Sequence, residues 1–141
     1  MTTWLLTGGA GYIGAHVLRA LQASGRDVVV LDDLSTGLAR KVPKGVPLVQ
    51  ANVADRAVVA AALREYDVTG VVHLAAKKAV GESVERPEYY YRENVDGMLS
   101  LLEAMAEVGT RCFVYSSSAA VYGTPAAQFV AEDASRNPES P

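Results

Sequence analysis

At 141 residues, half of them hydrophobic, the chain can bury one substantial core, and a single domain is expected. Its 13 Lys and Arg stand against 16 Asp and Glu, a net charge of −3, which argues against the basic stripe that nucleic-acid binding needs. No apolar run approaches the about 20 residues that cross a bilayer, and Met1-Thr2-Thr3-Trp4 lacks a charged signal-peptide start. A cytoplasmic protein with no membrane or nucleic-acid partner is expected.

Strand and helix patterns alternate along the chain, the order that builds a parallel sheet with helices on both faces. Thr3 to Thr7 is a short apolar run and predicts a buried strand. From Tyr12 to about Ser24, Ile13, Val17 and Leu21 share one helix face, and Gly25 is placed to stop the helix. Val28 to Leu31 predicts the second strand, Ser35 to Pro47 a surface loop, and Leu48 to Ala51 a third strand.

Asp55 is positioned to cap a helix carrying Val58, Val59, Ala62 and Leu63, and Gly70 to Leu74 follows as a central strand. Pro87 opens a long helix, whose expected packing stripe is Val95, Met98, Leu99, Leu102 and Met105 and whose stop is Gly109. Cys112 to Ser116 is the fifth strand, and Gly123 to Pro141 reads as loop. The lone Cys112 can form no internal disulfide and is expected to be an inert core thiol. His16 and His73 are expected to be buried, neutral and structural. No metal site is expected.

Between the first strand and first helix stands Gly9-x-Gly11-x-x-Gly14. A glycine turn in that place lets backbone N–H groups and the helix dipole hold a pyrophosphate, and a side chain at Gly11 would block the ligand. The second strand ends in Leu31-Asp32-Asp33, about 20 residues on, where a carboxylate binds the ribose hydroxyls of an adenine dinucleotide. Asp32 argues for NAD over NADP, since it would repel a 2′-phosphate and no Arg or Lys follows before Arg40. The fold class is therefore α/β, a Rossmann-type doubly wound parallel sheet.

The same loop read as Thr7-Gly8-x-x-Gly11-x-x-Gly14 resembles the extended branch of the short-chain dehydrogenase/reductase superfamily. Beyond it, His73-Leu74-Ala75-Ala76-Lys77-Lys78-Ala79-Val80-Gly81-Glu82-Ser83-Val84, then Pro87, Tyr89-Tyr90 and Asn94-Val95-Asp96-Gly97, resembles the UDP-glucose 4-epimerase family, as does Ser116-Ser117-Ser118-Ala119-Ala120-Val121-Tyr122-Gly123. These blocks span nearly the whole chain. The resemblance implies an enzyme that oxidises the C4 hydroxyl of a UDP-hexose with tightly held NAD and returns the hydride to the opposite face. It also implies a homodimer that uses the helix starting at Pro87, although Tyr89, Tyr90 and Tyr91 also suit packing within the chain.

Carried over by position, Ser118 would be the catalytic serine beside the sugar's C4 oxygen. The NAD site would comprise Gly8, Gly11, Tyr12, Ile13, Gly14, Asp32, Asp33, Ser35, Thr36, Gly37, Asn52, Val53, Leu74, Ala75, Ala76, Lys78, Asn94 and Ser116. Two positions depart from the commoner pattern. Asn52-Val53 stands where Asp-Ile or Asp-Val often touches the adenine, and the Asn52 amide oxygen can still accept from the adenine amine. Ala120 replaces a frequent Thr, which removes a hydroxyl from the substrate side.

The chemistry of the family also wants Tyr-x-x-x-Lys. Four residues after Tyr12, Tyr66, Tyr89, Tyr90, Tyr91, Tyr115 and Tyr122 stand His16, Gly70, Glu93, Asn94, Val95, Ala119 and Ala126, none of them lysine. The resemblance implies that this tyrosine would directly follow Ser140-Pro141, so residues 1–141 are expected to be one NAD-binding domain, incomplete at its C-terminal side, without catalytic helix or substrate domain. The fifth strand should then carry an unpaired edge. Other readings are another nucleotide-sugar epimerase, decarboxylase or dehydratase of the superfamily, and a non-catalytic NAD-binding module. The Ser116-Ser117-Ser118 run argues against a dehydratase, which usually has an acidic pair there.

Overall fold

A computed structural model describes residues 2–126 and 128–141. Five strands, β1 (Thr3–Thr7), β2 (Asp27–Asp32), β3 (Leu48–Gln50), β4 (Val68–His73) and β5 (Cys112–Tyr115), form one sheet in the order β3-β2-β1-β4-β5. Every neighbouring pair is parallel. This is the expected Rossmann-type α/β fold. From β1 the chain steps outward to β2 and β3, then returns to the other side of β1 for β4 and β5. Reversal of direction at β1 and β4 opens a crevice at the carboxyl ends of those two strands.

Alternate residues of the central strands feed two cores, because neighbouring side chains on a strand point to opposite faces. Leu5, Val29, Leu31 and Val71 pack beneath α2 (Arg56–Glu65) and α5 (Gly97–Val108), with Val59, Leu63, Leu101, Ala104 and Met105. Leu6, Val28, Val30 and Val72 pack on the opposite face against Leu18, Val17 and Leu21 of α1 (Tyr12–Ala23). Burial on both faces explains why these strands read as continuous apolar runs. Asp55 caps α2 as expected, its Oδ1 accepting from the Val58 N–H at 3.2 Å. α1 and α5 stop at Gly25 and Gly109, both at positive φ.

The expected long helix from Pro87 is instead three pieces: α4 (Pro87–Tyr90), a π-helical turn over Tyr91–Asp96, and α5. A further short helix, α3 (Val80–Glu85), precedes it and was not anticipated. The π turn adds a residue to the helical count and changes which face of α5 meets the sheet. Gly97, Leu101, Ala104 and Met105 are buried, whereas Val95, Leu99 and Leu102 are exposed, so of the expected stripe only Met105 is fully buried. At the start of that face Gly97 lets the helix approach closely: a Cβ there would stand 3.0 Å from Val53 Cγ1.

Two expected burials also fail. Cys112 is exposed, because β5 ends the sheet and no strand pairs with its outer edge among the described residues. His16 is exposed on the outer side of α1, with its ring edge-on to Tyr12 at a centroid distance of 5.1 Å. Tyr90 does pack inside, whereas Tyr91 is exposed. No helix of the described residues is long and apolar enough to cross a membrane.

Candidate functional site

The crevice between β1 and β4 is floored by the turn from β1 to α1. α1 begins at Gly11, which offers no side-chain cap, and the first helical acceptor, Gly11 O, takes the Ala15 N–H at 3.2 Å. The N–H groups of Tyr12, Ile13 and Gly14 therefore have no backbone acceptor among the described residues, and Tyr12 and Ile13 are exposed. Such a helix start concentrates positive partial charge and free donors, the chemistry that holds an anionic phosphate.

Close packing shapes the turn. A Cβ on Gly14 would fall on the Gly8 carbonyl oxygen and 2.6 Å from Gly9 Cα, and one on Gly8 would lie 2.8 Å from Ala75 N. Gly11 is different: its Cβ would meet only Gly8 O, at 3.2 Å, and nothing else within 4 Å.

Asp32, at the end of β2, is 7% exposed, and both of its carboxylate oxygens are used. Oδ2 accepts the Ala10 N–H at 2.9 Å and Oδ1 accepts the Leu34 N–H at 2.9 Å. The acid thus ties the glycine turn to the loop after β2 and still has lone pairs for two ribose hydroxyls. Gly37 closes this corner, since a Cβ there would lie 2.6 Å from Asp32 Oδ1. Leu34, directly after the two acids, holds the left-handed region at φ 59°, a strain of about 1–2 kcal/mol that the surrounding turn maintains.

Thr7 and His73 join the ends of β1 and β4. The Thr7 hydroxyl oxygen accepts from the Leu74 and Ala75 N–H groups at 3.2 and 3.3 Å, leaving its proton for His73 Nδ1 at 2.7 Å. His73 is buried as expected, and desolvation lowers its pKa from 6.5 to about 4, so it is neutral at pH 7. Its ring stacks with Phe113 and Tyr115 of β5.

Asn94, in the π turn, holds the loop after β4 from above. Its Oδ1 accepts the Lys77 N–H at 2.8 Å and its Nδ2 donates to Lys77 O at 3.0 Å. Both ends of the amide are spent on backbone, so Asn94 positions the loop. Asn52 Oδ1 already accepts the Ala54 N–H at 2.8 Å, and its Nδ2 donates to Glu93 Oε2 at 3.1 Å, which leaves one lone pair on the amide oxygen. Val53 is buried against Gly97.

The two lysines of the loop separate. Lys78, the residue singled out by resemblance, is exposed and makes no hydrogen bond or ion pair among the described residues. Lys77 turns inward: its Nζ donates to Ser35 Oγ at 2.7 Å and lies 3.8 Å from Asp33 Oδ2. Burial depresses the Lys77 ammonium, but Asp33, Tyr89 and Glu93 more than offset this and leave its pKa raised. For Asp33, burial raises the pKa, yet hydrogen bonds from Ser35 and the Lys77 charge bring it below the usual carboxylate range. Neither Lys77 nor Glu93 was anticipated. Both reach the site across the sheet, where chain order gives no signal.

Ser116 and Ser118 lie past β5, both exposed. Ser118 Oγ accepts the Ala120 N–H at 3.1 Å and caps a 3₁₀ turn over Ala119–Tyr122. Leu74 and Ala75 are half-buried beside Thr7, whereas Ala76 and Thr36 are exposed at the rim. The arrangement of turn, helix start and ribose-side acid fits an adenine dinucleotide.

Comparison with known proteins agrees. The sequence pattern of the NAD dependent epimerase/dehydratase family matches residues 4–141. A UDP-glucose 4-epimerase of Lactobacillus helveticus is 44% identical over 137 residues, which cover 97% of this chain and 42% of that protein. The UDP-glucose 4-epimerase from Brucella ovis, solved in complex with NAD, superposes with a TM-score of 0.95 at 38% identity, covering 99% of this chain and 43% of that one. The UDP-glucose-4-epimerase from Stenotrophomonas maltophila, solved with NAD and formylated UDP-arabinopyranose, gives 0.93 at 40% identity, covering 97% and 43%. The chain thus spans about two fifths of the length of these relatives. With a family pattern matched over nearly its whole length, the chain belongs to the NAD dependent epimerase/dehydratase family.

Proposed function

We propose that the chain forms the NAD-binding part of a cytoplasmic UDP-glucose 4-epimerase, an isomerase of galactose metabolism that interconverts UDP-glucose and UDP-galactose. The observation that carries this reading is the uncapped start of α1 at Gly11, set beside the Asp32 carboxylate that the Ala10 N–H fixes in place. Bound NAD supplies the removal and return of a hydride at the sugar's C4.

The chain's own residues bind and orient. The N–H groups of Tyr12, Ile13 and Gly14 receive the pyrophosphate, and Asp32 takes the ribose hydroxyls and rejects a 2′-phosphate. Asn52 and Val53 border the adenine, while Ser116 and Ser118 border the nicotinamide side, with the Ser118 hydroxyl hydrogen-bonded to the sugar's C4 oxygen. The exposed stripe of Val95, Leu99 and Leu102 supports a homodimer through α5.

A second reading, an NAD-binding unit that turns over no substrate by itself, is favoured by one observation: no tyrosine of the chain has a lysine four residues on. Calorimetric titration with NAD and NADP, of the chain and of a Gly11→Val variant, tests the main reading. Binding of NAD that is stronger than NADP and lost in the variant is expected. A parent chain that is folded by circular dichroism and binds no NAD would overturn it. An assay with UDP-galactose is expected to show no turnover by the chain alone, and turnover would remove the second reading.

A further inference from the structure

The loops that follow β2 and β4 touch, although their strands are not neighbours. β1 lies between them in the sheet, so the two strands run about 10 Å apart, and a contact between their loops must span the end of β1, where the glycine turn lies. Lys77 makes that contact. Its ammonium donates to Ser35 Oγ at 2.7 Å, Ser35 Oγ donates in turn to Asp33 Oδ1 at 2.6 Å, and Asp33 Oδ2 is 3.8 Å from the ammonium.

The Lys77 side chain is only 17% exposed, unusual for a lysine. Its backbone is held independently, since the Asn94 amide pairs with both its N–H and its C=O. One residue is therefore anchored at its main chain to the π turn and at its side chain to the loop that carries the ribose-side acids.

We propose that Lys77 is a positioning residue that latches the β4 loop to the Asp33 loop and retains the adenosine half of NAD in the cleft. This rests on the reading of the cleft as an NAD site. The latch acts on release more than on capture, because a bound dinucleotide leaves only when the two loops part. A solvated surface lysine would have no such effect, and the exposed Lys44 serves as the internal comparison.

The test uses the full chain with Lys77→Met, Lys77→Arg and Lys44→Met. Without any cofactor, hydrogen exchange is expected to quicken in residues 33–36 and 76–79 of Lys77→Met and to stay at the parent rate in Lys44→Met. With NAD, stopped-flow displacement is expected to show at least tenfold faster dissociation for Lys77→Met, a much smaller change in association, and recovery in Lys77→Arg. In Asp33→Asn, adding Lys77→Met should have little further effect. Unchanged exchange in the Asp33 loop overturns the latch, and so does unchanged dissociation from a parent that binds NAD. A parent that binds no NAD overturns the reading of the cleft itself, and the two failures are told apart by that single titration.

Discussion

Thr7 and His73 face each other at the ends of β1 and β4, Oγ1 to Nδ1 at 2.7 Å, in the layer of the molecule that supports the cofactor crevice. The Thr7 oxygen already accepts two backbone N–H groups, so a protonated His73 would aim a third donor at an oxygen with no lone pair left. Burial keeps the imidazole neutral, its pKa lowered to about 4. In the unfolded chain the ring titrates near its ordinary value of 6.5, so the unfolded state takes up the proton first as pH falls. Stability from this site is complete above pH 6.5 and is lost toward pH 4, by about 3 kcal/mol. Urea unfolding between pH 7.5 and 4 should show this fall in the parent and a smaller one in His73→Gln. Equal pH dependence of the two would exclude the site as the cause.

Asp32 has a second duty besides any ribose contact. Its two oxygens hold the Ala10 and Leu34 N–H groups, and Ala10 is wholly buried. Asp32→Ala leaves both donors without their acceptor, at a cost of about 2–4 kcal/mol. The loss should be present in the cofactor-free chain, where a residue serving only ligand binding would show none. Chemical denaturation of the parent and variant without NAD separates the two.

Gly14 admits no side chain. The added methyl group of Gly14→Ala would meet the Gly8 carbonyl and the Gly9 backbone, neither of which can rotate away. The turn or the first helical residues must move, at about 2–3 kcal/mol. Thermal unfolding should show the drop. Gly11→Ala, with only Gly8 O at 3.2 Å, should lose less stability while weakening NAD binding at least tenfold. Equal effects at both positions would mean that the turn adapts more freely than its packing implies.

Much of this fold was legible because each central strand carries a short apolar run and each capping residue is local: Asp55 on α2, Gly25 after α1. The glycine turn and Asp32 were legible because their spacing is set by one βαβ unit. What could not be read is what crosses the sheet. Lys77 and Ser35 are 42 residues apart and meet only through the strand order, and Asn52 and Glu93 meet in the same way. The π turn was invisible for a different reason, since a pattern sought at 3.6 residues per turn assumes that period throughout.

The register of α5 gives the sharpest check on that last point. Leu101 has no exposed surface, whereas Leu99, two residues earlier, is 54% exposed. Leu101→Ala should cost about 2–5 kcal/mol through the lost burial and the cavity left behind. Leu99→Ala should change monomer stability by less than about 0.5 kcal/mol. An uninterrupted α-helix from Pro87 would reverse the order, because its expected stripe buries Leu99. Urea unfolding at low protein concentration measures both. Repeated at high concentration, the same series reads the exposed face: if α5 pairs with a second copy of the chain, Leu99→Ser should weaken self-association in sedimentation while its dilute unfolding curve stays that of the parent. A Leu99→Ser chain that associates as strongly as the parent would move the interface off this stripe.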